Sequence, residues 1–162
     1  MKESKYEKYI VRKPTHPQHG VDETAWTSVK GSMTVPPLLF LEGDKPIKGA
    51  NQMVEMVWVW KDTAMGVHPD KPPHKHDSDE MFLFIGTNRE DTNDLGAEVE
   101  FWLGEGQEAD RLTFSTSSLI FVPRGLLHMP IIYRRVKKPF LLVVIGVNVG
   151  DMKPIKYPVR EL

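Results

Sequence analysis

No stretch of the chain holds an apolar period of 3.6 for more than about two turns, whereas short runs rich in Val, Ile, Phe and Trp recur throughout. The pattern predicts an almost wholly β body. Its strands are Leu38 to Glu42, Gln52 to Trp60, Glu80 to Gly86, Ala97 to Leu103, Arg111 to Phe114, Leu119 to Val122, Leu127 to Tyr133 and Pro139 to Val147. Ala97, Val99, Phe101 and Leu103 alternate with Glu98, Glu100 and Trp102, as in a strand with one face on a core and the other toward water. Met81 to Ile85 and Phe140 to Ile145 are instead apolar on both faces, so a two-layer sandwich alone leaves one of those faces uncovered. A second copy of the chain, packed sheet on sheet, is the economical cover, and the N-terminal arm folded over the face is the alternative.

Residues 1–30 form that arm, which is charged and contains proline and is read as partly extended. Residues 31–150 read as one β domain and residues 151–162 as a polar tail. A chain of 162 residues is long enough to bury a single sizeable core. Lys and Arg number 21 against 22 Asp and Glu, a formal charge of -1, which argues against a nucleic-acid or acidic-membrane partner. With no cysteine there is neither a disulfide framework nor a thiolate metal site, so any metal must be held by nitrogen and oxygen. The first residues lack the apolar stretch of a signal peptide, and no run approaches the roughly 18 apolar residues of a membrane span, so the expected setting is cytoplasmic.

His74 and His76 are one residue apart, and on an extended strand such a pair points to one face. Glu80 shares their parity, so its carboxylate joins them if Asp77-Ser78-Asp79 does not bulge. His128 follows Pro123-Arg124-Gly125, a turn signal that can deliver the next strand at a fixed angle. Three imidazoles and one carboxylate brought to one point are the ligand set of a mononuclear metal site.

These residues resemble the two motifs of the cupins, with His74, His76 and Glu80 in the first and His128 in the second. The resemblance implies an all-β, double-stranded β-helix or jelly-roll barrel, a small-molecule ligand and a tendency to form a homodimer. Four positions depart from the family pattern. His68 stands where a glycine is expected, Gly86 falls one residue early, Ser117 replaces the leading glycine of the second motif, and Ile132 replaces its closing asparagine.

A mixed imidazole and carboxylate site takes a divalent first-row metal, and a preference for six-coordination leaves two positions for water, substrate or O₂. Iron or manganese fits best, with nickel, cobalt and zinc also compatible. Phe82 and Phe84, which share the parity of Glu80, together with Trp58 and Trp60 on the preceding strand, describe an apolar substrate pocket. Glu55, His68 and Tyr133 are the candidates for an acid or base beside the metal, although Glu55 reads first as a solvent-facing position and His68 as a loop residue. His16 and His19 sit among prolines in the arm and read as solvated. Arg134-Arg135-Val136-Lys137-Lys138 reads as a solvated hairpin turn rather than an anion site. The expected activity is that of a metalloenzyme acting on a small oxygen-rich molecule, as a dioxygenase or as a non-oxidative isomerase, lyase or decarboxylase. A metal-dependent ligand-binding or sensor module without turnover is the alternative.

Overall fold

The computed structural model describes residues 5–13, 27–42, 47–66, 73–105, 108–149 and 155–156. Within them the chain forms a short 3-10 turn, Glu7–Tyr9, and eleven strands: β1 Leu39–Glu42, β2 Gln52–Val59, β3 Thr63–Met65, β4 His74–Lys75, β5 Asp79–Gly86, β6 Asp94–Leu103, β7 Asp110–Thr116, β8 Ser118–Val122, β9 His128–Arg134, β10 Phe140–Val147 and β11 Ile155–Lys156. The eight strands expected from the pattern are all present, within a few residues at each end. The three additional ones, β3, β4 and β11, are too short to leave a periodic signal. No helix among the described residues is long and apolar enough to cross a membrane.

Two antiparallel sheets face each other. One has the order β1-β2-β10-β5-β8 and the other β11-β4-β9-β6-β7, with β3 pairing β9 as well. Successive strands repeatedly switch sheets, as from β4 to β5 and from β9 to β10, which is the winding of a jelly roll. The segment Arg134 to Lys138 is therefore a bridge between sheets and not the hairpin expected from its charge. Its backbone is held by Asp62, whose carboxylate accepts the Arg135 N–H at 2.9 Å and the Val136 N–H at 2.8 Å.

The inward faces meet in an apolar core. Phe40, Val57, Val59, Phe82, Phe84, Phe140 and Leu142 come from the first sheet, and Leu95, Val99, Phe101, Ile131 and Tyr133 from the second, all almost fully buried. Phe84 packs edge-on against Phe101 and Phe114, with ring centroids 6.3 and 5.1 Å away, and Tyr133 lies 5.5 Å from Phe140. Each such aromatic contributes about 2–3 kcal/mol of transfer free energy, which helps to hold the short strands together.

The two outward faces differ. On the second sheet Arg134 and Arg135 pair with Glu100 and Glu98, each at 2.6 Å. The Trp102 indole donates to Glu100 at 2.7 Å and lies under the Arg111 guanidinium. On the first sheet the strand register lines up three wholly apolar rows. One is Leu39, Met56, Val143, Leu83 and Leu119; the next is Leu41, Val54, Ile145, Met81 and Phe121; the third is Trp58, Leu141 and Ile85. Leu119 and Phe121 at the β8 edge are 55% and 52% exposed.

Candidate metal centre

β4 and β9 pair with His74 directly opposite His128, and residues opposed in this way present their side chains on the same face. Their ring centroids are 4.6 Å apart, and that of His76 lies 4.7 Å from His74 and 5.5 Å from His128. One ligating nitrogen from each of the three lies within 4.8 Å of the others, so the cluster could hold a metal ion. His128 and His76 are buried, 1% and 8% exposed, and His74 is half-buried.

Strand parity places Glu80 beside the histidines only if residues 77–79 stay regular. The chain instead bends at Asp77 and Ser78 and passes from the sheet of β4 to the sheet of β5. Glu80 thus meets the imidazoles from across the barrel, with Oε2 3.1 Å from His128 Nε2 and 3.5 Å from His76 Nε2. The corner is fastened by the second motif: the Gly125 N–H donates to the His76 carbonyl at 2.8 Å, and the Arg124 N–H to the Asp79 carboxylate at 2.8 Å. Pro123 to Leu126 closes as a β-turn, with the Leu126 N–H bonded to the Pro123 carbonyl at 3.1 Å. Gly125 takes φ 79° at the third turn position, a conformation that costs glycine nothing.

His128 Nδ1 lies 3.1 Å from the Leu126 carbonyl oxygen. A carbonyl only accepts, so Nδ1 carries the proton and Nε2 turns its lone pair toward the barrel. That nitrogen faces a Glu80 carboxylate oxygen at 3.1 Å. Two buried acceptors this close require a cation between them. Neighbouring ligands that each sit about 2.1 Å from a divalent metal lie about 3.0 Å apart, so the residues present fit a metal ion. Burial pushes the Glu80 carboxyl up, but the neighbouring imidazoles of His128, His76 and His74 outweigh it and hold it below the usual carboxylate range.

No family model matches the chain, and no curated protein does. Among solved structures, vicilin from the hazelnut Corylus avellana superposes with a TM-score of 0.50 at 10% identity, over 81% of this chain and 36% of its own. The chain has the cupin fold. A cupin-like protein from Thermotoga maritima gives a TM-score of 0.48 at 9% identity over 74% of each chain. Oxalate oxidase gives 0.48 at 15% identity over 82% of this chain and 57% of its own. The cupin domain here spans 29% of the length of the Solanum melongena vicilin that it also matches.

The remaining candidates are dispersed by the cupin barrel. Phe82 is buried against His128, 5.7 Å between ring centroids, and so borders the cluster, whereas Phe84 lies one inward position further along β5, within the aromatic core. Trp58 and Trp60 stack on each other at 5.5 Å, but on the outward face of the first sheet. Trp60 is 43% exposed while Val57 and Val59 point inward, which corrects their assignment to the pocket. Both faces of this strand are apolar, so parity could not choose between them. The inner side is already filled by Phe82, Phe84 and Phe101, and it accepts the smaller residues.

Glu55, expected to face solvent, is buried on the inward face instead. In the first sheet it lies level with Val144 and Phe82, deeper than Glu80. Tyr133 is deeper still, five residues along β9 from His128, or about 16 Å at about 3.3 Å per residue. Burial, and then the charge of Glu55, push its phenol well above the usual range. His16, His19 and His68 lie outside the described residues. Sequence reasoning missed the Leu126 carbonyl, which orients His128. It also missed a cleft of about 220 Å³ lined by Lys75, Gly104, Glu105, Gly125, Leu126 and Leu127.

Proposed function

We propose that the protein is a mononuclear metal-dependent enzyme that binds a small oxygen-rich organic molecule at His74, His76, His128 and Glu80. The observation that carries this reading is the buried convergence of the three imidazoles on the Glu80 carboxylate, with His128 Nε2 3.1 Å from its Oε2. Iron or manganese is the metal that a six-coordinate nitrogen and oxygen set favours. Bound there, it would supply Lewis acidity to a chelated oxygen or a seat for O₂. The chain's own residues prepare the site. Leu126 fixes the tautomer of His128, the Gly125 N–H holds the His76 backbone, and Phe82 keeps water from the inner side of the cluster. Dioxygenation and non-oxidative isomerase, lyase or decarboxylase chemistry are both open to such a centre, in the cytoplasmic setting that a cysteine-free chain tolerates.

One observation favours a binding or sensor module without turnover. Tyr133 sits five residues along β9 from His128, toward the far end of the barrel, so its phenol supplies no acid or base beside the ligands. Elemental analysis of protein purified without chelator or affinity-tag metal, followed by O₂-uptake and product assays on chelating hydroxy and keto acids, tests the reading. Near-stoichiometric iron or manganese with turnover supports it. No transition metal above background after reconstitution would refute both the enzyme and the module.

The working form is a homodimer joined through the apolar outer face of the first sheet. Its three rows cover roughly 400 Å² in plan, given strands about 4.8 Å apart and side chains of one face about 6.8 Å apart. That is the apolar centre of a standard interface burying about 800 Å² per partner. Apolar rows without charges are self-complementary across a two-fold axis, and stacked sheets need only the aligned packing of a sandwich. Light scattering should give twice the mass of an 18.5 kDa chain, and the double substitution Leu119→Glu, Phe121→Glu should give the monomer. A monomeric wild type would reject the dimer.

A further inference from the structure

β9 reaches the metal cluster through an irregularity in its pairing. Ile131 opposes Phe101 on β6 and His128 opposes Leu103, so three steps along β9 match two along β6. The extra residue makes a β-bulge at Met129 and Pro130, opposite Trp102. Its consequence is one of parity. Ile131 and Tyr133 point inward, and regular alternation from them would turn Met129 inward and His128 out of the barrel. Because of the bulge, His128 shares the face of Leu103 and of its other cross-strand partner, His74.

Met129 carries the irregularity. Its φ is 84°, in the region that the first residue of a glycine bulge occupies and that a side chain normally avoids. The bulge is also buttressed from β3, which pairs with β9 as far as Met65 opposite Ile131. At the next residue, Gly66, an added Cβ would stand 3.0 Å from Met129 Cβ and 3.2 Å from its Sδ, so the Met129 side chain rests directly on the Gly66 backbone. Pro130, buried beside it, has no N–H to leave unpaired where the ladder is interrupted.

We propose that Met129 is a positioning residue. Its positive φ, taken at the bulge beside Gly66, turns His128 toward His74, His76 and Glu80. The role in metal binding rests on the reading of the cluster as a metal site, but the orientation of His128 does not. A β-branched residue resists a positive φ, so Met129→Val should flatten the bulge, push the surplus residue into the Pro123 to Leu127 loop, and turn His128 outward. Glycine accepts the same φ freely, so Met129→Gly should keep His128 in place. Deleting Pro130 in the Met129→Val background removes the surplus residue, and regular alternation then brings His128 back inside.

The test reads hydrogen–deuterium exchange at the His128 ring carbon in metal-free protein, alongside Co(II) affinity for all four proteins. Wild type, Met129→Gly and the Val-plus-deletion variant should protect His128. Met129→Val should exchange at the rate of an exposed histidine and lose at least about 100-fold in Co(II) affinity, since a lost ligand costs more than the roughly 10- to 100-fold of a lost orienting contact. Protection of His128 in folded Met129→Val, or failure of the Pro130 deletion to restore it, would overturn the proposal. The same exchange pattern without Co(II) binding to wild type would uphold the bulge and reject the metal site.

Discussion

Two carboxylates are buried in one barrel, and they are not equivalent. Glu80 and Glu55 both face the interior, 3% and 8% exposed, on strands of the same sheet. Around Glu80 stand three imidazoles on strand ends, each set by backbone geometry to aim a nitrogen at the same point. Glu55 faces the same interior deeper in the barrel, with the Tyr133 phenol within its electrostatic reach. Burial makes a charge costly in both places, and beside Glu80 a group of three imidazoles could hold a cation that offsets it. A buried acid is therefore a poor marker of a site by itself, and the convergence of its neighbours is the better one.

The sharpest way to break this contrast is to neutralise each acid without changing its shape. Glu80→Gln should weaken divalent-metal binding by at least about 100-fold, since loss of a ligand exceeds the loss of an orienting contact. Glu55→Gln should leave the affinity unchanged within about threefold, as expected of a residue with no part in the ligand set. Isothermal titration of the two variants with Mn(II) and Co(II) decides between them, and equal losses would dissolve the distinction.

Why one acid was found from the sequence and the other misplaced follows from their surroundings. His74, His76 and Glu80 announce themselves through spacing, and His128 through the turn before it, so the cluster was legible even though the corner at Asp77 and Ser78 was not. Glu80 arrives at the expected place by a different route, from the opposite sheet and not along one strand. Glu55 sits in a strand apolar on both faces, where period two carries no information about which side is inside, and the same ambiguity put Trp58 and Trp60 in the pocket. The long strands were legible because their apolar runs exceed what a loop tolerates. Strands of two or three residues, such as β3 and β4, exist only through pairing with β9. The bulge at Met129 leaves no trace either, because methionine is not a residue that advertises a positive φ.

A smaller effect belongs to Tyr133. Its hydroxyl is buried without a hydrogen-bond partner among the described residues, so Tyr133→Phe removes an unsatisfied polar group and should stabilise the protein by about 1 kcal/mol, with metal affinity unaltered. Denaturant unfolding measures this, and destabilisation would mean that the phenol serves the fold or the site.

The smallest effect comes from a third carboxylate, outside the barrel. The backbone N–H groups of Val136 and Arg135 hold Asp62 below the usual carboxylate range. Its contribution is therefore complete above the ordinary carboxylate pKa and is lost as pH falls through the lowered one. Asp62→Asn should cost under about 1 kcal/mol near neutrality, because solvent screens this exposed corner. The difference from wild type should vanish in acid. A difference that persists to low pH would show that the corner is held by something other than the carboxylate charge.

The most direct measurement is anomalous diffraction from crystals grown with Mn(II) or Fe(II), recorded on both sides of the metal absorption edge. A single peak about 2.1 Å from one nitrogen each of His74, His76 and His128 and from a Glu80 oxygen is the predicted result. No peak at saturating metal, or a peak that excludes Glu80, would contradict the four-ligand site.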